Sequence, residues 1–229
     1  PSDEKVYRVQ VATEADPLKS NPGLPERHWG LTPPLRTWSF LEPVEGELAV
    51  LEGGRLLVTG IAGTGKTTYV RGIVERLRAD GKVVDIISKT HTASRRAGGV
   101  TADHWVRRHV MHGAPRCDAL WIDEISQLDV GLWLQINKLA ATEMQFLLSG
   151  DFNQFSPLGN TFRGASVSET AFELSGLLHT LGGGNQVVLT ICRRSEAQLF
   201  DFYSSLINGE SRFDLPLAEA VRQAREQFT

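Results

Sequence analysis

Val58-Thr59-Gly60-Ile61-Ala62-Gly63-Thr64-Gly65-Lys66-Thr67-Thr68 is the stretch that decides the fold. From Gly60 to Thr67 it matches G-x-x-x-x-G-K-[ST] without a gap. The flanks agree with the match. Leu56-Leu57-Val58 leads in as a buried strand, and residues 69–77 follow with helical spacing. A strand, a glycine loop and a helix make an anion site, because the loop N–H groups and the positive end of the helix dipole converge on phosphate oxygens. Gly60, Ala62, Gly63, Thr64, Gly65, Lys66, Thr67 and Thr68 form the expected cradle. In such a loop the lysine reaches the β- and γ-phosphates, and the Thr67 hydroxyl helps to hold Mg²⁺. A glycine-rich turn carrying a chance lysine is the bland alternative, and the flanks argue against it.

Around this stretch, 229 residues with 41% hydrophobic content suffice for one domain plus appendages. The net charge of −3 excludes a molecule that is basic overall, so any nucleic-acid surface must be local. Cys117 and Cys192 make no disulfide framework and fit a reducing compartment. There is no signal peptide and no apolar run near 18 residues, so a soluble intracellular protein without a membrane partner is expected. The chain opens on Pro1 rather than methionine, as a fragment or processed product does.

Seven of the ten prolines lie within the first 43 residues, which argues against regular structure over residues 16–43. Residues 1–44 are therefore expected to be an arm or linker, with a short strand over 5–11. Trp29, Trp38 and Phe40 indicate that part of it packs on the main domain. From residue 45 strand and helix alternate, which implies an α/β fold with a mainly parallel sheet and helices on both faces. A helix is expected over 45–52, and the one after the loop ends at Asp80-Gly81. A buried strand follows over 83–87.

Residues 89–116 have another character. They hold Lys89, Arg95, Arg96, Arg107, Arg108 and Arg116 with four histidines, against Asp103 as the one acid. Trp105 lies among them. Such a segment suits a single-stranded nucleic-acid path, in which cations track phosphates and a flat ring stacks on a base. A solvated helix face with Trp105 in the core fits the residue types equally well. The spacing of His104, His109, His112 and Cys117 is none of the usual zinc patterns.

Ala119-Leu120-Trp121-Ile122-Asp123-Glu124 is a short apolar strand ending in two carboxylates. In a P-loop protein Asp123 binds Mg²⁺ and Glu124 polarises the attacking water. Residues 128–139 have helical spacing. Residues 145–151 form another buried strand ending in Gly-Asp, and the following loop places Gln154 where its amide can touch the γ-phosphate and the water. Turn chemistry alone also accounts for that loop. Helices are expected over 166–181, 196–207 and 215–227, and a strand over 186–191.

Together these residues resemble the first motor domain of a superfamily 1 helicase of the RecD-like branch, a RecA-like P-loop NTPase. The resemblance runs over about residues 54–195. Gly60 to Thr67 is similar to motif I, and Asp123-Glu124 to motif II. Lys89-Thr90-His91-Thr92-Ala93-Ser94-Arg95-Arg96 resembles motif Ia, a contact with single-stranded DNA. Thr90, His91, Thr92, Arg95, Arg96 and Trp105 are the candidate nucleic-acid residues that follow. Gly150-Asp151-Phe152-Asn153-Gln154 resembles motif III, and Leu189-Thr190-Ile191-Cys192-Arg193-Arg194-Ser195 resembles motif IV. The latter assigns the γ-phosphate arginine to Arg194 rather than Arg193. The resemblance implies ATP and Mg²⁺ as cofactors, single-stranded DNA before RNA as partner, and Lys66, Glu124, Gln154 and Arg194 as the catalytic set.

It also implies a domain plan: a RecA-like ATPase domain over 45–208, then a helix at 209–229 leading to a second RecA-like domain. That second domain carries a further catalytic arginine, so the chain alone is expected to bind nucleotide, to hydrolyse it poorly and not to unwind duplexes. The glutamine motif for adenine is missing upstream of the loop. A translational-type GTPase is disfavoured, because Asn137-Lys138-Leu139-Ala140 lacks the aspartate of N-K-x-D. A viral-type RNA helicase and a nucleotide-gated scaffold remain as alternatives.

Overall fold

The computed structural model describes residues 37–154, 157, 160–162, 165–167, 172–193 and 222. In chain order these form β1 (Ser39–Phe40), α1 (Pro43–Leu51), β2 (Leu56–Gly60), α2 (Lys66–Ala79), β3 (Val84–Ser88), α3 (His91–Ala97), β4 (Val100–Thr101) and α4 (Ala102–Val106). They continue with β5 (Ala119–Asp123), α5 (Val130–Asn137), β6 (Gln145–Gly150), β7 (Thr161–Phe162), β8 (Ala165–Ser166), α6 (Gly176–Leu181) and β9 (Asn185–Leu189). A π turn at Arg107–Met111 extends α4, and a 3₁₀ turn at Ile125–Gln127 leads towards α5.

Seven strands make one sheet in the order β1-β9-β2-β6-β5-β3-β4, and every pairing in it is parallel. β7 and β8 pair separately and antiparallel. The expected α/β architecture is therefore present. Its strands read as unbroken apolar runs because both faces are covered. Leu56 and Val58 face one way, with Trp121, Leu147 and Val187, against Val70, Ile73, Val74 and Leu77 of α2. Leu57, Leu120, Ile122, Phe146 and Leu148 face the other way, against α4, α5 and α6. Each fully buried aliphatic side chain of these layers stabilises the fold by about 1.5–3 kcal/mol.

Polar side chains tie the end of the sheet far from the glycine loop. Arg55 donates to the carbonyls of Met144 (3.2 Å), Ala140 (3.0 Å), Thr142 (2.8 Å) and Thr180 (3.4 Å), and its guanidinium lies over the Phe146 ring. The buried Gln145 amide donates to Val50 O and Gly54 O and accepts from Lys82 Nζ.

The structure departs from the sequence reading in several places. Ser39–Phe40, inside the stretch expected to lack regular structure, pairs in parallel with β9 as an edge strand. An edge position tolerates nearby prolines, since an edge strand needs fewer backbone donors. Trp38 packs edge-on against His179 (centroids 4.8 Å apart), whereas Phe40 is exposed. The helix expected over 166–181 is shorter: Ala165–Ser166 is a strand, and α6 begins only after Ser175, whose hydroxyl caps it by accepting from Leu178 N. The strand expected over 5–11, Trp29 and the helix expected over 196–207 lie outside the described residues, as does that over 215–227 except helical Arg222. Among the described residues no helix is long and apolar enough to cross a membrane.

Replacing Arg55 with Met keeps the stem over Phe146 but leaves the carbonyls without their donor. We expect a loss of about 2–3 kcal/mol in denaturant unfolding. A loss below about 0.5 kcal/mol, the range of ordinary surface substitutions, would show that these bonds do not hold the sheet.

Candidate phosphate-binding site

Parallel strands end on the same edge, and here the register puts the chemistry in one row. Thr59 pairs with Gly150, Gly60 with Leu189, Asp123 with Ser149, and Ser88 with Asp123. The glycine loop leaves β2 at this edge and enters α2 through Gly65. Gly60 is required by contact. A Cβ there would sit 2.3 Å from Leu189 O and 2.8 Å from Thr64 Oγ1. The buried Thr64 hydroxyl donates to Ile61 O (2.8 Å) and pins the loop. Lys66 Nζ reaches back across the loop to Gly60 O (2.7 Å) and Ile61 O (3.0 Å).

Asp123, at the end of β5, is buried and held from two sides. Ser149 Oγ donates to Oδ1 (2.7 Å), and Thr67 Oγ1 donates to Oδ2 (3.3 Å). Ser149 in turn accepts from Trp121 Nε1 (2.8 Å), so a buried relay runs from β5 through β6 and back to the carboxylate. A threonine hydroxyl beside an ionised carboxylate is a hard oxygen donor set, and it fits Mg²⁺.

Glu124 follows in the left-handed region (φ 55°, ψ 49°), the one non-glycine residue with positive φ among those described. Such a conformation costs on the order of 1–3 kcal/mol and persists only where surroundings enforce it. Gly150 makes the room: a Cβ there would meet Ile125 Cγ1 at 2.5 Å and Ile125 N at 2.9 Å. Burial and the Asp123 charge raise the Glu124 carboxyl above the usual carboxylate range, and Arg96 and Lys66 oppose them. Asp151 is buried, accepts from Asn153 N (2.9 Å), and takes the Gln154 amide at 3.4 Å.

Ala62, Gly63, Gly65, Lys66, Thr67, Thr68, Asp123, Glu124 and Gln154 line one cavity of about 130 Å³, with Arg96, Gly150 and Asp151. The structure thus brings together every described member of the expected phosphate set except Gly60 and Thr64, which shape the loop from behind. Arg194 lies outside the described residues. Its neighbour Arg193 donates its backbone N–H to Gly63 O (2.9 Å), and its Cδ lies 3.5 Å from where a Cβ on Gly65 would be.

The candidate nucleic-acid residues divide. His91, Thr92 and Arg95 are exposed on α3, and exposed Thr90 caps that helix by accepting from Ala93 N (3.1 Å). Arg96 is also exposed but lines the phosphate cavity. Trp105 requires a correction. It is only 2% exposed and donates its indole N–H to Asp85 (2.7 Å), so its ring packs in the core and is not offered to a base. Lys89 is engaged with Asp129 (2.8 Å) and Asp103 (3.1 Å). Burial opposes its charge, but the two carboxylates outweigh it and raise the ammonium. Sequence reasoning missed Ser149 and the inward placement of Arg96. A serine inside the apolar run Phe146-Leu147-Leu148 was the available signal for the first, and the second had none.

Residues 47–179, more than half of the chain, match the model of a family described as an AAA domain. The ATP-dependent DNA helicase PIF1 of Trypanosoma brucei brucei is 29% identical over 123 residues, 45% of this chain and 13% of that protein. The Pif1 helicase from Candida albicans shares the fold with a TM-score of 0.60 at 24% identity, over 80% of this chain and 46% of that one. Bacteroides Pif1, solved bound to ssDNA, gives 0.58 at 18%, over 81% and 49%. The chain thus spans less than half the length of these relatives.

The Trp121–Ser149–Asp123 relay is testable without any ligand. Ser149→Ala leaves the indole N–H and a carboxylate oxygen buried without this partner, and should cost about 1–3 kcal/mol in denaturant unfolding. An unchanged midpoint would show that the relay is dispensable.

Proposed function

We propose that this chain, which belongs to the AAA domain family, is the ATP-binding motor unit of a DNA helicase that couples ATP hydrolysis to movement along single-stranded DNA. The observation that carries this is the single cavity shared by Lys66, Thr67, Asp123, Glu124 and Gln154. Five residues from three separate loops meet there, each of the type that phosphoryl transfer to water needs.

Lys66 neutralises the β- and γ-phosphates. Thr67 and Asp123 hold Mg²⁺, which supplies further neutralisation of the phosphate oxygens. Glu124 takes the proton of the attacking water, and a carboxyl raised by burial and by Asp123 is the better base for it. Gln154 orients that water and touches the γ-phosphate, and Arg194 meets the γ-phosphate from the far side. A second RecA-like domain completes the site with another arginine, a group worth about 10³–10⁵ in rate. The 229-residue chain therefore binds nucleotide, turns it over slowly and does not unwind duplexes.

The similarity to proteins named as DNA helicases favours DNA over RNA. On this chain α3, with exposed His91, Thr92 and Arg95, is the contact for the strand, at the sheet edge that holds the nucleotide.

Glu124→Gln should retain Mg²⁺–ATP binding and lose at least about 10²-fold in hydrolysis, the usual worth of a general base. Wild-type turnover should fall on acidification through a pKa above the usual carboxylate range, because Glu124 must be ionised to accept the proton. A variant as active as wild type would remove Glu124 from the reaction. ATPase rates with and without single-stranded DNA, on this chain and on one extended past Thr229, test the motor reading. Absence of stimulation in both would count against it.

A further inference from the structure

Arg96 belongs by sequence to the basic run, yet it borders the same cavity as Lys66, Thr67, Glu124 and Gln154. It lies in the last turn of α3, which starts where β3 ends, and β3 pairs with β5 so that Ser88 stands beside Asp123. The helix therefore leaves the edge next to the carboxylate pair. Arg71 Nη2 donates to Arg96 O (2.7 Å), which ties this turn of α3 to α2.

Of the charged groups around the cavity, Asp123, Glu124 and Asp151 are anionic, and Lys66 and Arg96 are cationic. A polyphosphate entering here meets three carboxylates, so Lys66 alone leaves the wall net negative. Arg96 is the remaining cation of that wall, and it is close enough for its charge to pull the Glu124 carboxyl downwards. Its side chain is exposed and not locked in the core, so a guanidinium on this turn can swing onto a terminal phosphate without repacking α3.

We infer, on the footing of the nucleotide site proposed above, that Arg96 reads the terminal phosphate of a bound nucleoside triphosphate and so links α3 to the nucleotide state. A diphosphate leaves the guanidinium facing Glu124. A triphosphate gives it a stronger partner, and α3, which carries His91, Thr92 and Arg95, moves or stiffens with it.

The test is equilibrium binding of Mg²⁺–ADP and of a non-hydrolysable Mg²⁺–ATP analogue to wild type, Arg96→Ala, Arg96→Lys and Arg95→Ala. Arg96→Ala should weaken the triphosphate analogue about tenfold or more, the worth of a charge-assisted hydrogen bond, while ADP affinity stays within experimental error. Arg96→Lys should restore part of the loss, and Arg95→Ala should change neither. Unchanged ADP binding doubles as the check that Arg96→Ala is folded. Equal losses for both nucleotides, or no loss for either, overturn the assignment. Wild type that binds neither nucleotide overturns the nucleotide site itself, which is a different result.

Discussion

The whole arrangement depends on one geometric constraint, that all strands of the main sheet run the same way. Parallel strands bring their carboxyl ends to one edge, and open α/β sheets bind ligands in the crevice outside those ends. In this chain that edge collects the glycine loop after β2, Asp123 and Glu124 after β5, Gly150 and Asp151 after β6, and residues 190–193 after β9. None of these groups is within twenty residues of another's strand. The sheet register brings them together, and the apolar layers on both faces hold the register.

A cavity that gathers three carboxylates has an electrostatic problem, and the structure answers it locally. The Asp123 carboxylate is stabilised by two hydroxyl donors, one of them fixed by Trp121 through Ser149. Glu124 has no such support among the bonds described, and its carboxyl rises through burial and the neighbouring charge. Two adjacent acids are thereby set to different tasks, one kept ionised for a cation and one poised to accept a proton. The left-handed backbone at Glu124 belongs to the same solution, since it turns the chain sharply out of β5 into the 3₁₀ turn beneath Gly150.

Much of this was legible in the sequence, for definite reasons. Buried parallel strands read as short apolar runs, so Leu56-Leu57-Val58, Leu120-Trp121-Ile122 and Phe146-Leu147-Leu148 announce themselves. The glycine loop is legible because its residues serve local backbone geometry. Gly60, for example, leaves the space that Leu189 O occupies. Trp105 was not legible, because an indole among arginines looks the same whether it faces solvent or the core. What settles it is Asp85, twenty residues away on β3, which takes the indole N–H. The helix expected over 166–181 failed for a related reason: its leucine stripe is real only from Leu177 on, where α6 packs on the core.

The sequence by itself determined the elements and the residue types of the site, because helical and strand periodicities and the glycine loop are written in neighbouring residues. It did not determine which distant residues meet. Only the tertiary structure decided that Ser149 fixes Asp123, that Trp105 is core, and that Arg96 borders the phosphate cavity while Arg95 does not line it. The physical reason is that these contacts are set by strand order and by the rotation of α3 over the sheet. Both result from packing the apolar faces together, which no single stretch of the chain encodes.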